Sequence, residues 1–206
     1  MSSLERATRG PWHAVCVSEP SSSGLGNDLR ELLVALEAAA PSPAGGTAAA
    51  VTAAMAASLV VMVARESPAW PDGATVARDA STLRDRLLTL GAEDVQAFGA
   101  VLTASRERNT DALADALARA AEVPLEIAER AADVVELAAR ATADGKRPLQ
   151  PDAEAAAILA EAATRAASRL VRVNVSALPH EGDQTLKVRL NAAAQAADDR
   201  AAAVGR

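Results

Sequence analysis

The sequence predicts an all-α protein, an up-and-down bundle of about five to six helices. Two observations carry this. Alanine recurs throughout, beside leucine, arginine and glutamate, the residues that lead the helix scale. Tyrosine is absent and aromatic residues make up 1% of the chain, which removes much of what strands are built from. Long segments of helical period, broken by short proline- and glycine-bearing stretches, then fix the bundle arrangement.

Residues 1–26 are rich in serine, glycine and proline ("GPWHAVCVSEPSSSGLG") and lack a period, so they read as an irregular N-terminal arm ahead of a single helical domain over 27–206. Order begins at "NDLRELLVALEAAA". Asn27 suits an N-cap, Asp28 suits the positive end of the helix, and Leu29, Leu32, Leu33 and Leu36 share one face. Pro41 and Pro43 end that helix.

A second helix is expected from Gly45 to about Arg65, where "ESPAWPDG" breaks it. A third covers roughly 74–106, with Val76, Leu83, Leu87, Leu90, Val101 and Leu102 as core and Gly91 as a potential kink. A fourth begins after a cap at Asn109 or Thr110 and runs to Gly145, with Pro124 inside it removing one backbone bond. A fifth spans about 151–175, starting at Pro151 or Asp152. "DQTLKVRLNAAAQAADDRAAAV" forms a last, more polar helix.

Charge and composition exclude several functions. A formal net charge of −6, without a basic run interleaved with aromatics, lacks the footprint of a nucleic-acid binder. One cysteine, Cys16, and two distant histidines, His13 and His180, build neither an internal disulfide nor an ordinary zinc site, so no metal is expected. No secretory signal is visible, and the protein is expected in the cytoplasm.

The stretch "PSPAGGTAAAVTAAMAASLVVMVA" admits three readings: a membrane span, a buried helix, or a ligand cradle at a helix start. It has the length of a span. Its Ala, Thr, Ser and Gly content makes it weakly apolar, and no second span or aromatic belt accompanies it, so no membrane association is expected. Small side chains all round permit close helix approach, as a central helix needs when neighbours, a second subunit among them, surround it. A cradle is compatible with burial, because a helix start exposes unpaired N–H groups and Gly45 and Gly46 let a ligand approach them. Thr47 can cap the helix or bond the ligand.

Several fragments in order, "PSPAGGTAAA", "AEDVQAFGAVL", "AAEVPLEIAERAADVVELA", "PDAEAAAILAEAA" and "VRVNV", resemble the cyclodeaminase/cyclohydrolase family over roughly residues 27–178. The resemblance implies a helical bundle that forms homodimers and acts on one-carbon tetrahydrofolates, either closing 5-formiminotetrahydrofolate to the 5,10-methenyl form with loss of ammonia or hydrating the methenyl bridge. It implies a folate derivative as substrate and no tightly bound cofactor. Carried over by position, it puts Pro43, Gly45, Gly46 and Thr47 at the substrate, makes Asp94 the main acid/base group with Asp152 assisting, and adds Asn174. Arg172, close to Asn174, can pair with a glutamate tail.

The same positions have plainer readings: an exposed carboxylate at Asp94, an N-cap at Asp152, a buried hydrogen-bonding group at Asn174 and a surface residue at Arg172. Ala44, Pro151 and Leu170 also stand where the family usually has Gly, Ser and Asn. At Ala44 a Cβ disfavours positive φ and narrows the space for a ligand. The alternative expectation is therefore a diverged member that acts on another small molecule or serves as a non-catalytic helical dimer.

Overall fold

The computed structural model describes residues 22–38, 44–178 and 184–204. Six α-helices are present: α1 (Ser22–Glu37), α2 (Gly45–Arg65), α3 (Gly73–Glu107), α4 (Thr110–Asp144), α5 (Gln150–Ala177) and α6 (Gln184–Val204). A 3-10 turn at Arg147–Leu149 precedes α5, and no strand occurs among the described residues. The chain divides into two compact units, Met1–Glu37 and Ala38–Arg206.

In the first unit, α1 begins five residues ahead of the expected cap at Asn27, so the helix takes in part of the stretch read as an irregular arm. Leu29, Leu33 and Val34 on it are exposed.

In the second unit, consecutive helices pack antiparallel, and pairings across each interface show it. Thr47 meets Gly91 while Gly73 meets Ala64; Arg86 meets Glu126 while Glu93 meets Arg119. Asn174 meets Ala120 while Gln150 meets Thr142; Ser168 meets Ala194 while Lys187 meets Leu178. Helix α2 packs on α3, α4 and α5, so it is enclosed by three neighbours. Alanine makes this possible: Ala50, Ala53, Ala56 and Ala57 are fully buried, and backbones can approach closely where side chains end at Cβ. By length and composition α2 passes for a membrane span, but most of its apolar stretch is buried in the bundle.

The expected core of α3 divides. Val76, Leu87 and Leu90 are fully buried, whereas Leu83, Val101 and Leu102 are partly covered. Gly91 does not interrupt α3, which is one continuous helix through it, and a Cβ there would meet Ala50 and Thr47 at ordinary contact distances of 3.5 and 3.6 Å. Asn109 caps α4 by accepting from the Ala112 N–H at 3.1 Å. Gly145 follows α4 at φ −71, so its glycine serves space rather than a left-handed turn: a Cβ would run into the Ala141 carbonyl and meet Val63 Cγ1 at 2.9 Å.

Candidate functional site

The start of α2 lacks its own cap. Ala44 has no side-chain acceptor, and its backbone is extended at φ −138 and ψ −150. The expected conflict between the Ala44 Cβ and a positive φ therefore does not arise. The acceptor comes from α3 instead: the Asp94 carboxylate takes the backbone N–H of Thr47 in the first turn of α2. Gly46 makes room for it, since a Cβ there would overlap the carboxylate. Gly45 faces Leu170 on α5, whose Cδ1 would lie 3.5 Å from an added Cβ.

Asp94 is half-buried, and burial raises its carboxyl above the ordinary carboxylate value, with the Thr47 N–H working against that rise. A carboxylate at the positive end of a helix is stabilised as the anion, whereas desolvation favours the acid. Here desolvation is the larger influence. The result is a carboxyl group able to hold or release a proton nearer neutrality than an exposed aspartate.

Around Asp94 lies an open recess of about 160 Å³, lined among others by Ala44, Gly45, Gly46, Phe98, Leu170 and Asn174. Phe98 is 41% exposed and presents its ring there. It stands four residues after Asp94, one helical turn on and on the same face of α3. Pro124 and Ala120 of α4 line the recess too, and the Asn174 side-chain amide donates to the Ala120 carbonyl at 2.5 Å. About two turns before Asp94 on α3, Arg86 binds Glu126 bidentately at 2.7 and 2.6 Å and reaches Glu93 at 2.6 Å, while Arg119 takes the other Glu93 oxygen at 2.7 Å. This clamp ties α3 to α4 where they carry Asp94 and Pro124. The Arg86 guanidinium holds the Glu126 carboxyl below the usual carboxylate value.

The structure thus brings Gly45, Gly46, Asp94 and Asn174 to one place. Thr47 contributes its backbone N–H; its hydroxyl points away, buried, and donates to the Gly91 carbonyl at 2.9 Å, so it is spent on packing α2 against α3. Arg172 lies on another face of α5, two residues or about 200° round the helix from Asn174. There it binds Asp198 at 2.6 Å and Gln195 at 3.1 Å on α6. Asp152 sits in the first turn of α5, 22 residues and about 33 Å along the axis from Asn174 at ~1.5 Å per residue. Within one chain it cannot share a small ligand's reacting atoms with Asp94. Pro43, Cys16, His13 and His180 lie outside the described residues.

Phe98 and Leu170 stand at helical spacing from Asp94 and Asn174, so the signal for both was present in the sequence. The Arg86 clamp had no local signal, because it depends on the register of α3 against α4. Among the described residues no group of three His, Cys, Asp or Glu is placed to hold a metal ion.

Known proteins resemble this chain in sequence and in fold. The formiminotransferase-cyclodeaminase family matches residues 28–196. The chain belongs to that family. A methenyltetrahydrofolate cyclohydrolase of Methylorubrum extorquens is 34% identical over 170 residues, spanning 74% of this chain and 82% of the relative. The crystal structure of a formiminotetrahydrofolate cyclodeaminase from Thermotoga maritima superposes with a TM-score of 0.79 at 23% identity, over 86% of this chain and 91% of that one. At that identity the second likeness establishes the helical fold.

Proposed function

We propose that the recess binds the reacting part of a one-carbon tetrahydrofolate and that Asp94 moves a proton as the 5,10-methenyl ring is closed or opened. The observation that carries this reading is the half-buried Asp94 carboxylate, its pKa raised by burial, held at the open start of α2 beside Phe98 and Asn174 in a member of this family. The recess is smaller than the roughly 300–1,000 Å³ of a complete ligand pocket. It takes one ring-sized piece, and the remainder of the folate lies outside it.

The chemistry asks for little more. In the cyclodeaminase direction N10 attacks the formimino carbon of the N5 substituent, the N10 proton leaves, and the amine departs as ammonia once protonated. One carboxylate can take the first proton and deliver the second. In the cyclohydrolase direction water adds to the methenyl carbon, and the same group accepts the water proton before the ring opens to the 10-formyl form. Carbon stays at the formate oxidation level throughout, so neither reaction calls for a redox cofactor.

We place this activity in a cytoplasmic homodimer. Met55 on α2 is 49% exposed, and Val51, Thr52, Leu59 and Met62 continue the partly uncovered stripe on that helix. Sedimentation of the protein beside Met55→Glu tests the pairing: a dimer that the variant shifts to monomer supports it, and a monomeric parent protein ends it.

Purified protein is to be mixed separately with 5-formiminotetrahydrofolate and 5,10-methenyltetrahydrofolate, following methenyl absorbance and ammonia. Gain of methenyl absorbance with ammonia identifies the deaminase; loss of absorbance from the second substrate identifies the hydrolase. Failure of both substrates overturns the reading and favours a different small molecule, for which Leu170, an apolar side chain in the recess wall, is the pertinent residue. If turnover is weak, Ala44→Gly should increase it, because Ala44 lines the recess and a glycine fits its extended backbone equally well.

A further inference from the structure

Pro124 lies in the interior of α4, buried, and the helix continues through it. Proline has no N–H to offer and its ring crowds the carbonyl four residues earlier. That carbonyl belongs to Ala120, and it is the atom to which the Asn174 amide donates. A buried backbone acceptor without a partner is costly, so a donor from another helix fills the gap left by the proline. The bond also decides which way the amide faces. With one Nδ2 hydrogen committed to Ala120, the amide keeps Oδ1 and its second N–H, Asn174 lines the recess, and among the described residues no donor reaches the oxygen.

We propose that Pro124 is a positioning residue for the recess: by freeing the Ala120 carbonyl it locks the Asn174 amide with Oδ1 as an acceptor for an N–H group of the ligand. The claim rests on the folate reading for the identity of that ligand, whose ring nitrogens carry such N–H groups. The polarity of the site follows. Asp94 and Asn174 supply acceptors, and the first turn of α2 supplies donors.

Pro124→Ala restores an N–H that can bond Ala120 within α4 and releases Asn174. Three readouts test the coupling. Side-chain amide exchange of Asn174, followed by NMR in the free protein, should be slow in the parent and at least tenfold faster in Pro124→Ala. Substrate KM should rise roughly fivefold to tenfold in Pro124→Ala and in Asn174→Ala, the size expected for one neutral hydrogen bond, with no further rise in the double variant. Asn174→Asp should be worse than Asn174→Ala, because a carboxylate faces the Ala120 carbonyl with no proton to donate; a role in filling space alone would leave it close to the parent. Unchanged amide exchange in Pro124→Ala overturns the proposal, as do additive KM effects. If the parent turns over neither folate, the functional reading fails by itself, and the amide exchange still decides whether Pro124 orients Asn174.

Discussion

The two ends of the bundle contain similar materials and finish differently. At the recess end stand Ala44, Gly45, Gly46 and Asp94; at the other end stand Gly145, Pro151, Asp152 and Ser67. Far from the recess Ser67 and Gln150 are spent on backbone groups of the bundle itself. The Ser67 hydroxyl donates to the Val63 carbonyl at 2.6 Å and accepts the Lys146 N–H at 2.8 Å, and the Gln150 amide donates to the Thr142 carbonyl at 3.0 Å. The space at Gly145 is closed by α4's own Ala141 carbonyl and by Val63 of α2. At the recess end the cap of α2 arrives from α3, and the space kept by Gly46 belongs to a carboxylate rather than to the bundle wall. A helix start becomes a site when its cap is borrowed from another helix and its first N–H groups look into open space.

The largest effect should follow from removing the borrowed carboxyl. Asp94→Asn is expected to lower kcat by roughly 10²-fold or more, the usual contribution of a positioned acid/base group. Its thermal midpoint should stay near that of the parent, because the asparagine oxygen can still accept the Thr47 N–H. The pH dependence has a definite sign. Burial raises the folded pKa of Asp94, so the native state binds the proton more tightly than the unfolded chain does. The stability it contributes is present at low pH and declines as pH rises from the unfolded pKa through the folded one. Urea unfolding at stepped pH should show that decline in the parent and lose it in Asp94→Asn. In kinetics, the acid limb of kcat/KM should lie above the ordinary carboxylate range and vanish in the variant.

The two glycines offer the next contrast. Gly46→Ala should expel the Asp94 carboxylate and cost activity by roughly an order of magnitude or more, since a misplaced acid/base group loses much of its 10²–10⁴-fold contribution. Gly145→Ala should leave KM alone and lower stability by about 1–3 kcal/mol, as overpacking does. Activity assays and urea midpoints on both variants separate the two cases, and equal profiles would erase the distinction between the ends. A smaller effect is expected at Phe98→Ala, about a threefold to tenfold rise in KM from a lost ring contact worth roughly 0.5–1.5 kcal/mol. The smallest belongs to Asp152→Asn, with kcat/KM expected within about twofold of the parent, given that such a first-turn carboxylate contributes only ~0.3–1 kcal/mol to its helix. A tenfold loss there would join the ends that the fold keeps apart.

Much of this was legible in the chain itself. The helix Gly45–Arg65, the Asn109 cap and the proline inside α4 followed from local chemistry, which neighbours in sequence determine. The glycines and Asp94 came together because family motifs record a tertiary contact. The distance between Asp152 and Asn174 was also legible, because both lie on one uninterrupted helix whose rise per residue is known. What sequence could not supply was the docking of α6, which takes up Arg172, and the register of α3 on α4, which sets the Arg86 clamp. The role of Thr47 divided between backbone and side chain for the same reason: its hydroxyl finds a carbonyl on a helix 44 residues away.

The alanine core bears on how the protein responds to temperature. Among the described residues only a few large side chains, Leu87, Leu90, Ile127 and Leu190 among them, are completely enclosed, and most other fully buried core positions are alanine or valine. Heat capacity of unfolding scales with the apolar surface newly exposed to water, and an alanine exposes little of it. A small heat capacity of unfolding is therefore expected, and with it a flatter stability curve on either side of its optimum, which calorimetry would read directly.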